Sequence, residues 1–363
     1  MPDIAAPEAY STGYVINRDQ SIAVIIVSFC TPRDVVQCLA SLDALAVWPH
    51  FDVYICENGG PAAWDELCEA ISGPEGACDP VVPALTAVTP RFSRIAGFRL
   101  RRSRRNVLVG EATGNLGYAG GINAWLVPLL EVPDWTACWI LNPDTTVMPD
   151  TLAALVTQAT ERRLDMVGSR IMRAGTEKAV HMRGLSWRPV RASPVSVGRG
   201  APPEASSDVA TTEAELDAAS GASVYVARAC AEWLLPLDER YFLYFEDLDW
   251  GIRSRREGFR IGYADDSVVI HRCGTSIGSS VRGSLGSALS TYLEFRNRLL
   301  FVRTHYPRWV VWTFLMSHVH ALRLLPKGGI GPACQGIRAG LRGEVGRPDW
   351  LVEQHRKIMR TID

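Results

Sequence analysis

The sequence predicts an α/β fold in which a largely parallel sheet is flanked by helices, followed by a C-terminal helical extension. Three observations predict it. Continuous apolar runs at 22–29 and 137–141 have the pattern of strands buried on both faces. Helix-start chemistry follows strand after strand, the alternation of a doubly wound domain. Beyond residue 289 the strand signals stop and helical segments continue to near the end.

The elements follow in order. "IAVIIVSF" (22–29) is the first strand. In "TPRD", Thr31 is a capping residue, Pro32 fits the first helical position and Asp34 favours the first turn, so a helix runs to about residue 45. "FDVYIC" (51–56) is the second strand and 61–71 the second helix. Residues 72–104 break the pattern, first rich in Pro and Gly, then strongly basic in "RFSRIAGFRLRRSRR", and read as an insertion before the strand "NVLVG" (106–110). The Arg cluster is either a solvated surface or a contact for an anionic acceptor or lipid head groups. "GNLGYAGGINAWL" (114–126) opens a helix, and "ACWIL" (137–141) is a strand ending in Asn142-Pro143-Asp144. A helix at 150–162 and a strand at 166–171 continue the alternation. Residues 183–218 read as an irregular excursion, 220–228 as a strand, and a helix starts near Phe245. "FRIGYA" and "SVVIH" (267–271) read as two short strands, and a loop is expected around 326–332 between the last helices.

Composition narrows the function classes. With 47% hydrophobic and 21% charged residues, the 363-residue chain can bury an ordinary globular core. A net charge of -1 gives no global field toward nucleic acid. Nine cysteines, odd in number and without a C-x-x-C spacing, point to reduced thiols used as small hydrophobes and to a cytoplasmic protein, with no zinc site. Residues 1–20 lack the apolar core of a signal peptide. The most apolar stretch, 309–325, is interrupted by His318, His320 and Arg323, so no membrane span is expected. It reads either as an amphipathic core helix or as a peripheral membrane contact at the inner face. His318 and His320, two apart, fall on different helix faces and are not paired as metal ligands.

Four short stretches carry chemistry-bearing residues at strand ends. "ICENGG" places Glu57 and Asn58 at the carboxyl edge of a parallel strand, where such sheets bind ligands. "GNLGYAGGIN" is not a dinucleotide fingerprint, but its glycines let backbone N–H groups approach a phosphate. Asp144 follows one strand, and His271 ends another. In "YFLYFEDLDWGIR" (241–253), Glu246, Asp247 and Asp249 sit inside an aromatic run. Asp249 and Arg253 are four apart and form a structural bridge in this reading, whereas Glu246 and Asp247 fall in the first turn of the helix.

The ordered set "VIIVSF", "CENGG", "NLGYAGGIN", "LNPDTTVMPDTL", "SGASVYVAR", "LDERYFLYFEDLDWGIRSRREGFRIGY", "VIHRCGTS" and "EFRNRLL" resembles the family 2 glycosyltransferases, and among them the rhamnosyltransferase and galactofuranosyltransferase group. The resemblance runs from about residue 22 to 305. It implies a GT-A fold over 20–288, with a nucleotide half (20–145) and an acceptor half (146–288), then a helical region at 289–363. It also implies inverting transfer from a nucleotide-diphosphate sugar, dTDP- or UDP-linked, to a glycan or lipid-linked glycan, with a divalent metal, Mn2+ or Mg2+. Carried over by position, Asp144 matches the metal-binding acid of the family's D-x-D, His271 a metal or diphosphate ligand, Asp247 the catalytic base and Glu57 the nucleoside-contacting acid. Ser28, Asn58, Asn115, Gly117, Gly121 and Asn142 join Glu57 and Asp144 on the expected donor side, and Glu246 and Trp250 on the acceptor side. Two positions depart from the pattern: Asn142 is an amide where the first acid stands, and Glu57 replaces an aspartate. A homodimer, a non-catalytic sugar-nucleotide-binding scaffold and a nucleotidyltransferase stay open at this point.

Overall fold

The structure, a computed structural model, describes residues 21–83, 89–175, 179–202, 209–272 and 287–353. Residues 1–20, the tail from 354, and Cys273, Ser276, Ser279 and Ser280 of the stretch after His271 lie outside the described residues.

The alternation forms as expected through the first half. Strand β1 (Ser21–Ser28) leads to α1 (Pro32–Asp43), β2 (His50–Glu57) and α2 (Pro61–Ser72). Then come β3 (Cys78–Val81), β4 (Phe92–Leu100), β5 (Asn106–Ala112), α3 (Gly117–Leu129), β6 (Ala137–Leu141), β7 (Thr145–Val147) and α4 (Thr151–Arg162). The second half runs β8 (Met166–Arg173), β9 (Val180–Met182), β10 (Gly184–Arg188), β11 (Ser193–Val197), α5 (Val209–Glu215), β12 (Ser223–Ala227), α6 (Arg228–Leu234), α7 (Glu246–Arg256) and β13 (Ile261–His271). Helices α8 (Ala288–His305), α9 (Val310–Leu322) and α10 (Ile330–Arg342) follow.

One mixed sheet has the order β3-β4-β5-β2-β1-β6-β12-β8-β13-β7, with β9 branching from β8. Strands β5, β2, β1 and β6 are parallel, β12 runs antiparallel between β6 and β8, and β13 returns parallel to β8. The centre is buried on both faces: Ile22, Val24, Ile25 and Ile26 are fully inaccessible. Alternate β1 residues therefore feed two apolar layers, Ile22, Val24 and Ile26 on the α1/α2/α4 side, Ala23 and Ile25 on the α3/α6 side.

Three expectations are corrected. Residues 72–104 are not an irregular insertion: β3 and β4 continue the sheet antiparallel to β5, and β4 hides its strand alternation under arginines. Arg94 and Arg101 are exposed but partnered within the protein. Arg101 donates to the carbonyls of Ser72 and Gly73 at 3.1 and 2.9 Å, closing the end of α2, and Arg94 lies over the Trp64 ring while donating to Glu111 at 2.6 Å. Second, 259–271 forms one strand from Ile261, with a register shift between Ala264 and Val268, rather than two. Third, the 183–218 excursion contains the hairpin β10–β11 and helix α5.

The strand order reverses at β1, which has β2 on one side and β6 on the other. Ligand crevices of open α/β sheets lie outside the carboxyl ends of strands at such a switch point.

Candidate active site

A cleft of about 310 Å³ opens there. Its lining includes Val27 near the end of β1 and Phe29 after it, Asn58 after β2, Asn142 to Asp144 after β6, Gly221 and Ala222 before β12, Glu246 and Asp247 on α7, and His271 at the end of β13. A neighbouring cavity of about 440 Å³, sharing Phe29, Asn58 and Asn115, extends toward Glu111 and the C-terminal Arg347.

Two strand pairings build the first wall. Strand β13 runs antiparallel to β7 with His271 opposite Thr145, which sets His271 Nε2 3.0 Å from Asp144 Oδ1. The Arg272 N–H donates to the Asp144 carbonyl at 3.0 Å and locks that register. Asn142 stands beside the pair, its Nδ2 3.4 Å from His271 Nε2 and its Oδ1 accepting from the Tyr118 hydroxyl at 2.8 Å.

The chemistry of this donor set fits a divalent cation. A carboxylate oxygen and an imidazole nitrogen come together at the cleft surface, an oxygen and nitrogen pair of the kind that binds divalent cations. Among the described residues no group of three or more His, Cys, Asp and Glu converges, so a cation here would need further ligands from outside these side chains.

The second wall is the start of α7. Asp247 Oδ2 accepts from the Gly221 N–H at 3.1 Å and Oδ1 from the Leu248 N–H at 2.8 Å. Burial pushes its pKa above the ordinary aspartate range against these hydrogen bonds. Glu246 is raised much further, by burial first and by the adjacent Asp247 charge second, and its Oε2 has no hydrogen-bond partner. Asp249 has the opposite character. Burial pushes it up, but the hydrogen bond from His305 Nε2 at 2.7 Å and the Arg253 guanidinium at 2.8 Å outweigh that and hold it below the usual range. The three carboxylates thus divide: Asp249 is bridged inward, and Glu246 and Asp247 face the cleft.

The loop that delivers α7 is strained. Phe242, Tyr244 and Phe245 have φ of 64°, 69° and 76°, left-handed values that cost a non-glycine residue on the order of 1 kcal/mol or more each. Asn297, fully buried on α8, restrains it. Its Nδ2 stands within 2.9, 2.7 and 3.0 Å of the carbonyls of Tyr241, Leu243 and Tyr244. Arg296 adds a hydrogen bond to the Tyr241 carbonyl at 2.9 Å, and its Nε donates to Asn297 Oδ1 at 2.9 Å, which fixes the amide's orientation. The same loop turns Phe242, Leu243 and Tyr244 toward the cleft, while Tyr241 and Phe245 enter a core with Trp187 and Phe301.

Tyr118 joins the two walls. Its hydroxyl lies 2.8 Å from Asn142 Oδ1 and 2.6 Å from the carbonyl oxygen of Gly221, the residue whose N–H holds Asp247. Burial and the charges of Glu246, Asp247 and Asp144 raise its pKa well above the tyrosine range, so it remains a protonated donor.

Of the sequence-predicted residues, Asn58, Asn115, Gly117, Asn142, Asp144, Glu246, Asp247 and His271 line the cleft. Asn58 works as a strut, receiving the Leu116 N–H at 3.1 Å and donating to the Gly117 carbonyl at 3.0 Å, and Asn115 Oδ1 accepts from the Gly117 N–H at 3.0 Å. Gly117 needs its φ of 74°, and a Cβ there would strike the Phe242 carbonyl. Four expectations change. Trp250 packs in the apolar core with Trp125 and Val226, although its i+4 and i+3 spacing puts it on the helix face of Glu246 and Asp247, one turn further along. Gly121 is a packing glycine: a Cβ would lie 2.7 Å from Val27. Ser28 and Glu57 lie beneath the floor, both fully inaccessible. Ser28 donates to Glu57 Oε2 at 2.5 Å, and the Cys30 and Gly59 N–H groups donate to Oε1 at 3.0 and 2.8 Å. Tyr118 and Asn297 were not singled out from sequence. Their signals were a hydroxyl aromatic among four glycines, and an Arg-Asn-Arg run flanked by apolar residues in a helix.

No family model matches the chain. Among curated proteins it is similar to the low-salt glycan biosynthesis hexosyltransferase Agl10 of Haloferax volcanii, 24% identical over 251 residues that span 66% of this chain and 77% of that protein. The chain resembles glycosyltransferases. Among solved structures, a mannosyltransferase from Pyrobaculum calidifontis in complex with GDP-Man and Mn2+ is 12% identical with a TM-score of 0.46, covering 88% of this chain and 75% of that one. TarS of S. aureus is 10% identical with a TM-score of 0.45, covering 84% of this chain and 43% of that one. The fold described above rests on its own topology rather than on these two scores.

Proposed function

We propose that the protein is an inverting, metal-dependent glycosyltransferase. It moves rhamnose or another hexose from a dTDP- or UDP-linked donor to a hydroxyl of a glycan or lipid-linked glycan. The observation that carries the reading is one cleft with two unlike walls: a cation-type pair, Asp144 and His271, and a half-buried carboxylate with raised pKa, Asp247, tied together through Tyr118. Similarity to a hexosyltransferase of glycan biosynthesis supports the reaction class.

The residues divide the work as follows. Asp144 and His271 would hold a divalent cation, whose charge would offset that of a departing diphosphate. The loop held by Asn58 and Asn115 presents Gly117 and the start of α3 toward the diphosphate, where a helix N-terminus favours negative charge. Asp247 accepts the proton of the attacking acceptor hydroxyl, a role typically worth about 10²–10⁴-fold. Its raised pKa makes it a stronger base than a solvated aspartate, and the Gly221 and Leu248 N–H groups keep its oxygens aimed. Phe242 and Tyr244 supply ring faces for a sugar at the same end of the cleft. Attack by a hydroxyl opposite the leaving diphosphate inverts the anomeric centre, and the oxocarbenium-like centre resembles that of glycoside hydrolysis.

The test is a donor screen that reads nucleoside diphosphate release with and without manganese. Release from one sugar nucleotide, dependent on the cation and on Asp247, is expected. Pyrophosphate release from a nucleoside triphosphate would make the protein a nucleotidyltransferase instead, and donor binding without turnover would make it a scaffold.

A further inference from the structure

Helix α9 is inside out. Its buried face carries Thr313, Ser317 and Ala321, at 0, 0 and 1% exposure, while Val311, Leu315, Val319 and Leu322 stand 71, 53, 42 and 61% exposed. Spaced four, four and three residues apart, these four form one stripe, and Leu325 and Trp312 widen it. A helix packed only for a water-soluble core would place the leucines inward. Small residues inside and large apolar ones outside is the arrangement of helices whose outer face meets lipid.

Charge points the same way. From residue 295 to 343 the sequence contains no Asp or Glu, though the chain as a whole has net charge -1. Some of the basic residues in that stretch are spent internally: Arg296 and Arg298 are buried, and Arg303 caps α10 through the Leu341 carbonyl. Arg308 and Arg323, at the two ends of α9, are exposed, and neither forms an ion pair among the described residues. The face is therefore an apolar stripe with a guanidinium at each end. No helix among the described residues is long and apolar enough to cross a membrane, so the stripe would lie along a surface rather than span it.

We propose that this face docks on an anionic lipid surface. The hairpin β10–β11 connects it to the cleft: the Trp312 indole donates to the Val190 carbonyl at 2.8 Å at the hairpin tip, Val190 itself is exposed, and Leu185 of the same hairpin lines the cleft beside Tyr244 and Asp247. Docking would set the acceptor end of the cleft near the lipid. That last step rests on the transferase reading. The docking does not, and it is tested without donor or turnover.

The full chain is sedimented with vesicles containing roughly one-third phosphatidylglycerol in phosphatidylcholine, and with phosphatidylcholine alone. Wild type is expected to partition onto the anionic vesicles and to come off as salt is raised to about 0.5 M. Leu315→Gln with Leu322→Gln should weaken partition at least ~tenfold. Arg308→Gln with Arg323→Gln should weaken it about tenfold on anionic vesicles only. All four side chains are exposed, and unchanged thermal unfolding confirms that the variants fold. The proposal is overturned if wild type stays in the supernatant, or if the leucine variant partitions like wild type. It is also overturned if wild type forms a dimer that the leucine variant abolishes while vesicles take up neither, since the face would then join two copies of the chain.

Discussion

Glu57, buried beneath the cleft floor, and Asp247, half-buried in its wall, are both carboxylates pushed up by desolvation, yet their surroundings differ in kind. Glu57 ends β2 and receives three hydrogen bonds, one from the Ser28 hydroxyl on the next strand and two from N–H groups of the turns it joins. Its oxygens are spent holding β1 and β2 in register above Ser28↔Glu57. Asp247 receives two N–H groups, faces the cleft, and has Glu246 beside it with one oxygen unpartnered. Burial alone does not mark a reactive acid. What distinguishes the two is whether protein donors saturate the carboxylate and whether the remaining lone pairs reach solvent-sized space.

The largest effect that separates them is on turnover. Asp247→Asn should lower kcat about 10²–10⁴-fold while donor affinity, measured by calorimetry, changes less than about threefold. Equal losses in both would move Asp247 from proton transfer to donor binding. Next comes the restraint on its loop. Asn297→Ala removes the donor shared by three carbonyls, and kcat should fall roughly 10–100-fold as the left-handed residues relax and Asp247 shifts, with helical circular dichroism retained. Unchanged kinetics would show that the strained loop holds itself.

Glu57→Gln should act on the other side of the comparison. An amide can keep its oxygen on the Cys30 and Gly59 N–H groups but must donate its NH2 to Ser28, reversing that hydrogen bond, so stability should change by about 1 kcal/mol or less, with kcat at moderate temperature nearly unchanged. A fall in kcat without a fall in Tm would make Glu57 a ligand contact after all. The smallest effect is at Glu246. Its pKa is raised in the folded state, so its contribution to stability is complete below the unfolded value, near 4, and is lost as pH rises through the folded value. Glu246→Gln should therefore raise Tm by a few degrees at pH 8 and leave it unchanged near pH 4. The same sign applied to Asp247 places the acid limb of the activity profile above the ordinary aspartate range.

The sequence displayed the parallel half of the fold because doubly buried strands read as continuous apolar runs and Pro32 and Pro61 marked the first positions of α1 and α2, although Thr31 makes no side-chain cap. Strand β4 stayed hidden because its exposed face is built from arginines whose partners, the α2 carbonyls and Glu111, are distant in sequence. The Asp249–Arg253 bridge was legible as a local four-residue pair, but its second partner, His305, comes from α8 and had no local signal. The opposition of Asp144 and His271 depends on β13 pairing with β7, and the fate of Glu57 on hydrogen bonds from Ser28 and Cys30; neither is written in spacing. Trp250 lies about one helical turn beyond the cleft acids, and its packing against Trp125 and Val226 depends on residues distant in sequence.

The central claim is that the cation and diphosphate bind at one wall while the base waits at the other. A crystal structure of the protein with a nucleoside diphosphate and Mn2+, with the metal located by its anomalous scattering, tests it most directly. The expected result is a metal about 2.0–2.3 Å from an Asp144 oxygen and His271 Nε2, with the Asp247 carboxylate free of it across the cleft. A metal bound elsewhere, or ligated by Asp247, would contradict the account.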